Sequence, residues 1–83
     1  MADTTNTRSG SRTYQLKGTL KVSATSVFSN IVIKTGLPYR KAMNVLEVNQ
    51  MVWEGLVDNV VRTRAMMEVR VNGFMFRVWI EKE

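Results

Sequence analysis

From residue 13 onward the chain alternates. Tyr14, Leu16, Leu20 and Val22 fall on one side with Gly18 in register, while Thr13, Gln15, Lys17, Thr19 and Lys21 fall on the other. A period of two predicts a half-buried strand over 13–22, with Gly18 marking a bulge or a close approach by another backbone. Ser23 or Thr25 is then placed to cap a helix over 25–35 whose apolar side is Val27, Phe28, Ile31 and Val32. The β-branched run Ile31-Val32-Ile33 competes in favour of strand. The punctuation after it, Gly36-Leu37-Pro38, favours helix: Gly36 can close one helix in a left-handed conformation and Pro38 can open the next.

The next segment carries the i, i+3, i+4, i+7 signature of a second helix. Its stripe runs Ala42, Val45, Leu46, Val52, Trp53, Leu56, Val57 and Val60, with Asn49 as the polar member. Met43, Val48 and Met51 are apolar too but lie off that stripe. A helix that is apolar beyond one face needs a second surface. The expected cover is a partner chain, with Val45, Val48, Met51, Val52, Leu56, Phe74 and Phe76 forming the dimer interface.

Alternation then returns. Val61, Thr63, Ala65, Met67, Val69 and Val71 oppose Arg62, Arg64, Glu68, Arg70 and Asn72, with Met66 out of pattern. Asn72-Gly73 is a favoured dipeptide for a tight turn. Beyond it Phe74, Phe76, Val78 and Ile80 alternate with Met75, Arg77, Trp79 and Glu81. This predicts a two-stranded hairpin whose upper face bears Arg62, Arg64, Arg70, Arg77 and Trp79. Alternate strand positions lie about 6.5–7 Å apart, which suits contact with successive phosphates. The competing reading is an ordinary solvated face, with Glu68 and Glu81 paired to the arginines across the strands.

The run Thr35-Gly36-Leu37 with Ala42 and Leu46, followed by a long amphipathic segment and a hairpin holding Gly73-Phe74, resembles the body of the HU/IHF family of DNA-bending proteins. The resemblance covers roughly residues 25–80. It implies an α+β fold ordered strand-helix-helix-strand-strand, with a small antiparallel sheet and an intertwined homodimer. The family's DNA-embracing arm, its tip Pro and its last helix have no counterpart here, whereas the strand at Tyr14–Val22 is extra. That strand is expected to pair where the family's third strand would lie.

Charge and size adjust this picture. The 83 residues carry a net charge of +5. Residues 1–23 hold Arg8, Arg12, Lys17 and Lys21 against Asp3, so the basic excess leans towards the start. Residues 1–12, with no apolar side chain after Ala2, are expected to form a disordered basic tail ahead of a single domain over 13–83. A domain this small buries only about 60–65% of its unfolded surface, which again favours a dimer. There is no Cys and no His, so disulfides, thiolate or imidazole metal sites and ordinary general-base chemistry are excluded. Glu47, Glu54 and Asp58 read as a solvated helix face rather than a catalytic pair. No cofactor, metal or small-molecule ligand is expected. No apolar run is long enough to cross a membrane, and the opening Met-Ala-Asp-Thr-Thr-Asn has no signal-peptide character. A cytoplasmic location follows, in the nucleoid or in a host's cytoplasm if the source is viral.

Three functions fit the sequence. One is a non-enzymatic HU-like protein binding duplex DNA through phosphates, using Arg62, Arg64, Arg70, Arg77 and Trp79, the helix-start pair Arg40 and Lys41, and the tail residues Arg8 and Arg12. The second is a protein-interaction module of the same fold, a viral antagonist or partner of a host HU-type protein or a viral assembly component. The third is a winged-helix DNA reader with its recognition helix at Lys41–Asn59 and the Asn72-Gly73 hairpin as wing.

Overall fold

Five strands and one helix make up residues 12–83, the part of the chain that the computed structural model describes. In chain order they are β1 (Tyr14–Lys21), β2 (Val27–Leu37), α1 (Tyr39–Glu54), β3 (Val60–Thr63), β4 (Met66–Val71) and β5 (Phe74–Lys82). The strands form one sheet in the order β2-β1-β5-β4-β3, and every neighbouring pair is antiparallel. Among the described residues no helix is long and apolar enough to cross a membrane. The tail expected at 1–12 lies, apart from Arg12, outside the described residues.

The strand-helix-helix-strand-strand order is not found, and the HU/IHF-like body is set aside with it. Residues expected as the first helix form β2, in which the β-branched Ile31-Val32-Ile33 run prevails. Gly36 does take a positive φ of 71°, but it does so inside that strand rather than at a helix end. Pro38 does open a helix: it sits at the N-cap in extended conformation, and its carbonyl accepts the Ala42 N–H at 3.1 Å. The one helix among the described residues also falls short of what a winged-helix reader requires.

The helix ends at Glu54 with Gly55 as its cap, so Val57 and Val60 leave the expected stripe and Val60 begins β3. The strand expected across 61–71 is two strands joined by a tight turn at Arg64-Ala65, where Thr63 pairs with Met66. The Asn72-Gly73 turn connects β4 to β5, with Val71 opposite Phe74 and Gly73 at φ 81°. β1 pairs with β5 along its whole length, from Tyr14 opposite Lys82 to Lys21 opposite Met75. It does not close the sheet at an edge, because β2 pairs on its other side.

Among the described residues the buried apolar side chains form one cluster between α1 and the sheet: Leu16, Leu37, Ala42, Leu46, Met67, Val69 and Val78. Val45, Trp53, Val57, Val60, Phe76 and Ile80 pack around them. Tyr14 meets Tyr39 edge-on at 5.0 Å near the helix start, and Trp53 lies 6.1 Å from Phe74 and 6.4 Å from Phe76 near its end. The helix has no side-chain cap, no acid in its first turn and no base in its last. Burial, rather than capping or the helix dipole, therefore holds it in place.

Candidate functional site

The two faces of the sheet are unlike. Directly opposed residues share a face, so register assigns each side chain. Leu16, Gly18 and Leu20 share the helix side with Ile80, Val78 and Phe76, and with Met67 and Val69 beyond them. The other, outer face is covered by no element among the described residues. Its rows run Lys21–Met75–Arg70, then Thr19–Arg77–Glu68, then Lys17–Trp79–Met66.

On the helix side, α1 covers only part of the sheet. Arg62 of β3 reaches Gln50 and Met43, which places that flank of the helix over β3. Val45 and Val52 sit two residues on from Met43 and Gln50, a rotation of about 200°, and so face the β1–β2 side. There no element among the described residues covers the sheet. Phe28 lies opposite Leu20 and Ile31 opposite Gly18, while Ile33 reaches over Gly18 so closely that a Cβ there would sit 2.9 Å from its Cδ1. Phe28, Ile31 and Ile33 are exposed, as are Val48, Met51, Val52 and Leu56 on and just after the helix. The result is an apolar shelf beside an apolar ridge.

The expected arginine cluster is only partly assembled. The turn at Arg64-Ala65 reverses the phase of the chain, so Arg62 lies on the helix side. Its Nε–H donates to the Thr63 carbonyl at 2.8 Å and its Nη1–H to Gln50 Oε1 at 2.9 Å, stapling β3 to α1. Arg64 is exposed in the turn, and Arg40 and Lys41 are exposed in the first turn of α1, away from the outer face. Arg12 is exposed just before β1, and Arg8 lies outside the described residues. Arg70, Arg77 and Trp79 do share the outer face. The expected interface residues Val48, Met51, Val52 and Leu56 are exposed, whereas Val45 and Phe76 are half-buried against the core and Phe74 is half-buried beside Trp53.

Two lysines complete the outer face. Lys17 and Lys21 lie on the polar side of β1, a phase the alternation of 13–22 displays. Their nearness to Arg77 and Trp79 comes from the pairing of β1 with β5, a contact between chain segments some sixty residues apart.

Carboxylates organise these cations. Glu68 is only 8% exposed although it points to the open face, because Arg70 and Arg77 close over it. Arg70 Nε–H donates to one oxygen at 2.7 Å, and Arg77 donates to the other through Nε at 2.8 Å and Nη2 at 2.6 Å. Burial pushes the Glu68 carboxyl up, but the hydrogen bonds from Arg77 and Arg70 and their charges outweigh it, holding the group below the usual glutamate range. The Trp79 indole N–H donates to Glu81 at 2.8 Å and Lys17 sits 3.3 Å from the same carboxylate, so Glu81 is lowered too. Glu83 accepts from the Thr13 hydroxyl and the Gly36 N–H and is lowered likewise. Among the described residues no three His, Cys, Asp or Glu side chains gather where a metal ion would fit. The chain matches no protein-family model, no curated protein and no solved structure.

Proposed function

We propose that the chain is a non-enzymatic, self-associating subunit, in which two copies bury the ridge and shelf of their helix-side faces against each other. One observation carries this reading: among the described residues one helix lies on a five-stranded sheet, and Phe28, Ile31 and Ile33 of β2 stay exposed beside it together with Val48, Met51, Val52 and Leu56. Five strands span about 19 Å between their outer axes, and a helix with its side chains is about 10 Å across. One helix is too narrow for the sheet.

The occupant that fits is a second copy. Each chain carries a convex ridge (Val48, Met51, Val52, Leu56) next to a floor one helix-layer lower (Leu20, Phe28, Ile31, Ile33). A two-fold axis sets each ridge on the other's floor, so the same patch serves both partners. Pairing by sheet edges is disfavoured. β3 has four residues, and β2 carries register shifts and Asn30 at a positive φ of 56°, which break its row of free backbone groups.

Support for a non-enzymatic role comes from the carboxylates. The shifted glutamates are all lowered, so none is held protonated for acid catalysis, and the chain has no His or Cys to act as base or nucleophile.

Sedimentation velocity over a hundredfold concentration range tests the reading. The expected species is a dimer, converted to monomer by Val52→Glu with Leu56→Glu while the far-ultraviolet circular dichroism of the helix persists. A wild-type chain that sediments as monomer at every concentration contradicts it.

A further inference from the structure

The outer face of the sheet has a separate use, which does not depend on the pairing of the helix-side faces. We propose that it binds single-stranded nucleic acid, with the phosphate backbone held at the Lys21–Arg70 end and a base stacked on Trp79.

Four cations, Lys17, Lys21, Arg70 and Arg77, stand on this face against two carboxylates, Glu68 and Glu81. Neutralisation is uneven. Lys17 is matched by Glu81, and one Glu68 is shared between two guanidiniums. Glu68 binds Arg70 through Nε alone, and the Arg70 side chain is 66% exposed, so its two terminal nitrogens remain available for a second acceptor. A buried carboxylate in this position orients the cations rather than cancelling them. Lys21 stands one row-width from Arg70, across Met75.

Those two cations flank an open cleft of about 310 Å³, whose other walls include Asn59, Asn72 and Gly73. Two cations with two amide side chains form a donor-rich rim suited to phosphate oxygens. Four residues further along β5, about 13 Å away, Trp79 lies between Lys17 and Met66 in its row. Its indole N–H is bonded to Glu81, which pins the ring before any ligand arrives. A cationic track leading to a fixed aromatic platform is the arrangement that single strands use, because their bases are free to stack. Among the described residues this face carries no helix that could enter a groove of a duplex.

The test is fluorescence anisotropy of a labelled twelve-nucleotide oligo(dT) with the full chain at low salt, repeated as salt is raised. Expected are micromolar binding, a log–log salt slope of about −2 to −3 for three to four phosphates, and quenching of tryptophan emission. Lys21→Glu should weaken binding at least tenfold, and Trp79→Leu should weaken it about tenfold and abolish the quenching, each with the wild-type sedimentation coefficient. A Trp79→Leu chain that fails to fold leaves the exposed Lys21→Glu to decide. Three results would overturn the proposal: no binding at tens of micromolar, tighter binding to a duplex of equal length, or affinity unchanged in Lys21→Glu. The last would assign any binding to the basic segment before β1.

Discussion

β4 and β2 are both apolar strands of one sheet, yet their fates are opposite. In β4 three consecutive residues, Met67, Glu68 and Val69, are buried, the apolar pair beneath the helix and the glutamate beneath two arginines. In β2, eleven residues long, only Leu37 is buried, and that residue is the one that leads into the helix. The difference lies not in composition, since Phe28, Ile31, Val32 and Ile33 are as apolar as anything in the core. It lies in cover. Burial needs a second layer within reach: the helix leaves the β2 flank of its own face open around Phe28, Ile31 and Ile33, and Val32 lies on the outer face with Lys17. An apolar strand without a second layer is half of an interface.

The contrast is broken most severely from the core side. Leu46 is fully buried on the sheet-facing side of the helix, so Leu46→Ala should cost about 2–5 kcal/mol, read as a fall in the denaturant midpoint. Met51→Ala, at a position 71% exposed in the chain, should change intrinsic fold stability by less than about 0.5 kcal/mol when measured on the Val52→Glu/Leu56→Glu background, where the proposed pairing is removed. Equal losses at the two sites would deny the distinction between core and ridge.

Next in size is Gly18, where the shelf meets the core. An added methyl would lie 2.9 Å from Ile33 Cδ1 and 3.0 Å from the Arg77 carbonyl oxygen. Ile33 can rotate away, but the carbonyl is fixed by the sheet. Gly18→Ala should therefore cost about 1–3 kcal/mol, and chemical denaturation would show it.

The smallest expected effect is that of acid. Glu68, Glu81 and Glu83 all have folded values below the ordinary one. A group lowered on folding contributes stability that is present above its unfolded value and lost as pH falls through its folded value. Stability should thus be flat near neutrality and decline below roughly pH 4.5, with Glu68→Gln flattening part of that decline. Glu68 matters most because it is buried, whereas the exposed Glu81 and Glu83 are screened by solvent.

Much of the fold is legible where the pattern is local. The alternation of 13–22, the stripe from Ala42 to Trp53 and the Asn72-Gly73 turn each correspond to an observed element. β2 was less legible because Thr35-Gly36-Leu37-Pro38 punctuates a strand-to-helix junction as well as a helix-to-helix one, while the opposing signal from Ile31-Val32-Ile33 was short. The resemblance to a two-helix family leaned on the same few residues. The turn at Arg64-Ala65 carries no Gly, Pro or Asn to announce it, so the alternation from Val61 to Val71 does not show the change of phase that sends Arg62 to the helix side. The outer face needed long-range pairing: Lys17 and Lys21 join Arg77 and Trp79 only because β1 lies against β5, which local periodicity does not encode.

Self-association through ridge and shelf is tested most directly by sedimentation of two variants, alone and mixed. Val52→Glu/Leu56→Glu removes the ridge, and Phe28→Glu/Ile31→Glu removes the shelf. Each should be monomeric alone at concentrations where the wild type is dimeric. Mixed at high concentration, they should associate, because one intact ridge then meets one intact shelf. A shelf variant that stays dimeric, or a mixture no more associated than its components, would contradict the arrangement.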